Sequence, residues 1–384
     1  MFWDGREAGE GRDKGMTRRE FLKGVGAGVA LAALAPGCMR RQGVSNASEE
    51  AREMVKQTKL PRWRGFNVHN MYGVGGYEPF EENDFAWMAE WGFDFVRIPV
   101  SHVLVMEEDD PARPVEGALA ELDRGIELAR KHGLHANVDL HTAPGYAYHV
   151  SQMRGDYNLW KDEKPQEAFY GLWRMLAKRY QGIGTVELSF NLINEPATPL
   201  GKMTREEHEG VIRRATAVVR EVSPERTIII DGMEWASEPC PELADLEVAQ
   251  SYHFYAPHRV THYQAEWDDT KGWPEPVWPG VKEGRKRWDR QALEEHFQPW
   301  VELAAKGVGV HCGEGGVYNK TPHGVALGWL RDVLDMMKRH NMGYGMWNFR
   351  GPFGVLDSKR ADVEYEDFHG HKLDRKMLSL LQEL

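Results

Sequence analysis

Short runs rich in β-branched and aromatic residues recur eight times along this chain, and most are followed by a charged stretch with helical spacing. The runs occupy 65–69, 93–99, 135–140, 186–193, 227–231, 248–252, 308–312 and 343–347. Helices are expected over 82–91, 118–132, 165–180, 204–222, 291–306 and 325–340, with 374–384 closing the chain. The gap after the fifth run holds only a weak signal around 241–246. A strand that returns beside its predecessor through a helix must run parallel to it. Eight such units in 384 residues predict an α/β fold, a single closed (β/α)₈ TIM barrel. An open doubly wound sheet is the competing architecture, yet no GxGxxG follows the first run. Nothing repeats at a fixed period, so one catalytic domain is expected from residue 59 to 384.

Composition narrows the partners. Lys and Arg total 48 against 59 Asp and Glu, a formal charge of −11, which repels phosphate-rich polymers and anionic lipid on average. Three cysteines without a CxxC pair supply neither a disulfide framework nor a structural zinc site. Fourteen Trp, 13 Tyr and 14 Phe exceed what the core of so polar a chain requires, which points to stacking on a ligand.

The N-terminus reads as an address. Thr17-Arg18-Arg19-Glu20-Phe21-Leu22-Lys23 precedes a twelve-residue apolar run, too short for a membrane span of roughly 20 residues. Residues 1–38 are therefore expected to be a twin-arginine export signal, with Met1 or Met16 as the start. Leu34-Ala35-Pro36-Gly37-Cys38 partly resembles a lipoprotein box, so a lipid anchor at Cys38 is one form of that reading. Residues 39–58 read as a polar linker. The expected destination is the periplasm, the cell surface or the medium. Cys240 and Cys312 then remain, read as free thiols, with a single disulfide as the alternative.

In such a barrel the chemistry sits at the C-terminal ends of the strands. Asn67 and His69 end the first run, Arg97 the second, Asp139 and His141 the third, and Asn194-Glu195 the fourth. His253 and Tyr255 follow the sixth, Glu314 the seventh, and Trp347 closes the eighth. Ionisable groups aimed at one mouth are not what packing alone requires. Glu195 and Glu314 belong to opposed strands, the arrangement that glycosidic cleavage needs: one carboxyl to lend a proton, the other to attack the anomeric carbon.

With these residues in place, Phe95-Val-Arg-Ile-Pro99, Asp139-Leu-His141, Asn194-Glu195-Pro196, His253-Phe-Tyr255, Glu314 and Trp347 together resemble glycoside hydrolase family 5. The resemblance runs from Arg64 to the end and matches the family's eight recurrent active-site positions. It implies a retaining glycosidase working by double displacement without metal or cofactor, with Glu314 as nucleophile and Glu195 as acid/base. It assigns substrate binding to Arg97, His141, Asn194, His253, Tyr255 and Trp347. Elementary chemistry agrees: an arginine beside Glu314 favours its ionised form, and the Tyr255 hydroxyl fixes its orientation. Gly315-Gly316 departs from the bulkier residue often found after the nucleophile, which removes one wall of a subsite.

The segment from His141 to Tyr146 and that from His253 to Trp267 are most similar to endo-β-1,4-glucanase branches, so a cellulase acting as a monomer on β-glucan is expected. β-Mannanase and β-1,3-glucanase activities share the same core, and transglycosylation shares the same intermediate. A non-catalytic carbohydrate-binding barrel is the alternative of another class. Tyr146, Trp160 and Trp267 are expected to stack on substrate. The stretch 256–290, 35 residues with Pro and Trp but no clear element, is expected to build part of the cleft.

Overall fold

The computed structural model describes residues 60–73, 75–107, 113–147 and 157–383. The twin-arginine segment, Cys38, the linker through residue 58 and Tyr148 lie outside the described residues. Eight strands form a closed barrel: β1 (Arg64–Asn67), β2 (Phe95–Val100), β3 (His135–Leu140), β4 (Leu188–Asn191), β5 (Thr227–Asp231), β6 (Ala249–Phe254), β7 (Val310–Gly315) and β8 (Gly343–Met346). Each pairs in parallel with its sequence neighbours, and β8 closes on β1 through Gly65 opposite Gly345. Between them lie α1 (Glu82–Glu90), α2 (Glu116–Lys131), α3 (Glu163–Arg179), α4 (Arg205–Val222), α5 (Arg290–Ala305) and α6 (His323–Arg339), followed by α7 (Arg375–Glu383). After β5, where the helical signal is weak, stand only a helical turn, Met233–Ala236, and a 3-10 helix, Pro241–Leu246.

The elements follow from residue pattern. On α2, Ala118, Leu119, Leu122, Ile126 and Ala129 recur at helical spacing and are buried against the barrel. Thr204 and Glu207 form a reciprocal capping box that fixes the start of α4. Every residue of β2, β3, β6 and β7 is buried, as expected of parallel strands covered on both faces. Trp63 lies stacked 3.7 Å from the His135 ring and 5.9 Å from Phe95, and with Ile229 and Ala249 it plugs the N-terminal end of the barrel. The lower end is therefore packed, which leaves the C-terminal mouth for chemistry.

One irregularity shapes that mouth. Ser251 pairs with His311 and Tyr252 with Cys312, but His253 pairs with Glu314, so Gly313 is an extra residue in β7. A Cβ at Gly313 would come within 2.4 Å of Ser251 Oγ, so only glycine fits this close approach. The bulge lets β7 continue to Gly315, three residues past the expected end at Cys312, and re-aims Glu314. Cys240 and Cys312 are both free and buried, as the simpler reading of the cysteines had it.

Candidate active site

Arg97 is the hub of the mouth. Its side chain is fully buried, donating from Nη1 to Glu314 Oε1 at 2.6 Å and to Asn67 Oδ1 at 3.0 Å. Nε donates to Asn191 Oδ1 at 3.2 Å and Nη2 to Asn194 Oδ1 at 2.9 Å, with Asp139 Oδ1 at 3.1 Å and Asp231 Oδ2 at 3.7 Å. One guanidinium thus ties together β1, β3, β5, β7 and both ends of the β4 turn, which its planar fork of five donors permits. Burial alone would lower its pKa, but Asp139, Glu314 and Asp231 more than offset that, and it stays charged. Asn67 completes the frame by donating Nδ2 to Gly313 O at 3.0 Å, holding the bulge in place.

Glu195 and Glu314 face each other. Together with His253 they each offer an atom within 4.8 Å of the others. Glu195 Oε1 lies in a 2.9 Å hydrogen bond with His253 Nδ1, which is also 3.6 Å from Glu314 Oε2. Tyr255 donates its hydroxyl to Glu314 Oε2 at 3.2 Å. Burial pushes the Glu314 carboxyl above the usual range; His253 and Arg97 pull it back, while Glu195 raises it further. The expected Arg97 contact is present, but desolvation outweighs it. Burial likewise holds His253 below the ordinary imidazole range, against the pull of Glu314 and Asp231. One imidazole and two carboxylates would also suit a divalent ion, yet the Arg97 cation 2.6 Å from Glu314 opposes a second positive charge there.

The aromatic wall lies to one side. Trp347 stacks with His141 at a 5.5 Å centroid separation and 25° between planes, while Tyr72 meets both rings edge-on at 5.0 and 5.6 Å. Asp139 Oδ2 holds His141 Nδ1 at 2.8 Å. Burial brings His141 down to about 3 and pushes Asp139 up to about 7, so the imidazole is neutral. His69, which bonds the Trp347 carbonyl at 2.7 Å, is half-buried, and desolvation keeps it neutral. The wall that Gly316 omits is filled from elsewhere: the Phe353 ring would stand 3.3 Å from a Cβ at that position.

Two expected stacking residues are corrected. Tyr146 is 1% exposed, and its hydroxyl donates to Glu195 O at 2.7 Å and accepts from Ala197 N at 3.0 Å. Trp160 is 2% exposed, wedged between Tyr146 and the buried His208. Neither ring offers a free face; both support the turn that carries Glu195. Trp267 is different, 54% exposed and edge-on to Tyr318 at 4.8 Å, with Phe353 bridging to Tyr255. The stretch 256–290 holds a short helix, His258–Thr261, and a hairpin of Val281–Glu283 with Lys286–Trp288. Within it Trp288 is buried, and Trp278 donates to Asp332 on α6.

Asn191 and Asp231 escaped sequence reasoning. Asp231 accepts from Glu195 N at 3.0 Å and from Asn191 Nδ2 at 3.1 Å. Its signal was available: Thr-Ile-Ile-Ile-Asp ends β5 in a carboxylate, as other strands end in polar groups.

The family model for cellulase, glycosyl hydrolase family 5, matches residues 50–351. The chain belongs to that family. It is 27% identical over 328 residues to Endoglucanase C of Acetivibrio thermocellus, covering 77% of this chain and 93% of that protein. It is 28% identical over 306 residues to Cellodextrinase A of Ruminococcus flavefaciens, covering 76% and 84%. Among solved structures, a glycoside hydrolase superposes with a TM-score of 0.81 at 39% identity, over 84% of this chain and 99% of that one. The barrel is therefore a glycosidase.

Proposed function

We propose that this family 5 glycosidase is a retaining endo-β-1,4-glucanase in which Glu314 is the nucleophile and Glu195 the acid/base. The observation that carries the reading is the approach of the two carboxyls to within 4.8 Å of each other, with Arg97 and Tyr255 both donating to Glu314. That separation suits direct attack and leaves no room for an intervening water, whose geometry needs roughly 6.5–9.5 Å. In the first step Glu314 bonds to the anomeric carbon while Glu195 passes its proton to the departing glycosidic oxygen. In the second, Glu195 takes a proton from water, the resulting hydroxide displaces Glu314, and the configuration is retained. Asn194, held by Arg97 through its oxygen, keeps its amide for a sugar hydroxyl, and Trp347 offers an apolar ring face.

An endoglucanase and a cellodextrinase among the relatives support a glucan substrate. A reducing-end assay on cellulose, mixed-linkage glucan, mannan and laminarin tests this: fastest release from β-1,4-linked glucan is expected. A faster rate on mannan or laminarin reassigns the linkage, and no release from any of them sinks the enzymatic reading. Trp267→Ala should raise KM on long oligosaccharides about 5–30-fold, the loss of one stacking contact of about 1–2 kcal/mol, with short substrates unaffected. Unchanged KM would remove Trp267 from the cleft. Trp160→Ala should instead lower Tm, costing about 3–5 kcal/mol as a buried-core truncation. Residues 1–38 are read as a cleaved twin-arginine signal, and the N-terminal sequence of the exported protein tests that reading.

A further inference from the structure

Glu195 adopts a left-handed backbone at φ 48°, a conformation that is strained for a non-glycine residue and persists only when its surroundings impose it. Two groups impose it. Tyr146 OH donates to the Glu195 carbonyl at 2.7 Å, and Asp231 Oδ2 accepts from the Glu195 N–H at 3.0 Å. The same Asp231 oxygen stands 3.2 Å from His253 Nε2, a charge contact outside hydrogen-bond geometry, while the other nitrogen of that ring meets Glu195 Oε1 in a 2.9 Å hydrogen bond. A single buried carboxylate therefore borders both the backbone of Glu195 and the far side of its side-chain partner. Three consecutive left-handed residues, Glu234, Trp235 and Ala236, follow β5, and Glu234 accepts from Thr198 Oγ1 at 2.5 Å, so the loops after β4 and β5 are locked together.

We propose that Asp231 is a positioning residue for general acid catalysis: it fixes the Glu195 backbone and, by its charge, draws the His253 proton to Nε2, leaving Nδ1 to accept a hydrogen bond from protonated Glu195. This rests on the assignment of Glu195 as the acid/base. A neutral His253 has one proton to place, and burial keeps it neutral. With that proton on the Asp231 side, the Nδ1 lone pair favours a protonated Glu195, the form needed for the first step. The charged and titratable groups around the pair are Asp231 on β5, Glu314 and His311 on β7, Arg97 on β2, Asp139 on β3, and His141, Tyr146 and Tyr255 beyond the ends of β3 and β6. Of these, Asp231 alone contacts both Glu195 and the distal nitrogen of His253.

Asp231→Asn tests this on two substrates, unactivated cello-oligosaccharide and a dinitrophenyl β-cellobioside whose leaving group needs no proton. kcat/KM on the oligosaccharide should fall on the order of 10²-fold, while the aryl glycoside loses less than about threefold in the glycosylation step. The alkaline limb of the oligosaccharide profile should move to lower pH, because a carboxylate that held the acid's proton has lost its charge. Equal losses on both substrates, or an unmoved limb, would overturn the proposal. Asp231→Ala, measured alongside by circular dichroism, gives a second reading should the asparagine variant not fold. Glu195→Ala run in parallel separates the two claims: if that variant itself lacks leaving-group dependence, the acid/base assignment fails, whatever Asp231 does.

Discussion

Glu314→Ala eliminates turnover of glucan, a loss on the order of 10⁴-fold or more, and azide restores cleavage of an activated aryl glycoside. The truncated side chain leaves space where the nucleophile stood, opposite the departing bond. Azide entering there attacks the anomeric carbon directly, the phenolate leaves, and the product is the α-glycosyl azide. Glu195→Ala gives the mirror outcome: the ester to Glu314 still forms from the activated substrate, and azide replaces water in the second step to yield the β-azide. Product stereochemistry by NMR thus assigns each carboxyl separately, and exchanged products would reverse the two roles. The fold should survive Glu314→Ala. Arg97 keeps Asp139 and Asp231 as partners, and a carboxyl whose burial already disfavours its charge is gone. An equal or higher Tm is expected; a collapse of the native state would show Glu314 to be structural, and full activity would refute its catalytic role.

Much of this architecture was legible because the signals are local. The alternation of β-rich runs with amphipathic stretches is written in adjacent residues, and helix α2 shows it in the spacing of Leu119, Leu122 and Ile126. The weak signal after the fifth run matched a weak element, the 3-10 turn Pro241–Leu246. Strand-end polar residues pointed to the mouth because the barrel converts a position along a strand into a depth in the cleft. What sequence did not yield was orientation. Tyr146 and Trp160 follow a strand end as plausibly as Trp267 does, but side-chain direction there depends on the turn around Glu195, which no periodicity encodes. Both rings turn inward and brace that turn, while Trp267 emerges. The bulge at Gly313 was equally silent, since nothing in Val310-His-Cys-Gly-Glu announces an extra residue until its partner's register is known. Asp231 was missed for a third reason: its importance lies in contacts to β4 and β6, and an isolated aspartate after three isoleucines looks like an ordinary strand end.

Arg97→Met should cost about 3–5 kcal/mol of stability, because removing one partner leaves buried carboxyls without their compensating charge. The loss is larger than for an exposed ion pair, since Asp139, Asp231 and Glu314 all share this guanidinium in a fully buried setting. It also carries a sign in pH. Glu314 already sits above the ordinary carboxyl range, so the acid limb of kcat/KM should lie above that range too in the parent enzyme. Without Arg97 the ionised form loses a favourable neighbour 2.6 Å away, and protonation persists to higher pH, so the limb moves up. Arg97→Lys keeps a charge but not a planar fork that reaches Asn67, Asn191, Asn194 and Glu314 together, so it should recover part of the stability and little of the rate. Thermal unfolding and pH–rate profiles of both variants decide the matter. An acid limb that stays in place in a folded Arg97→Met protein would mean that the guanidinium holds the barrel together without setting the charge of the nucleophile.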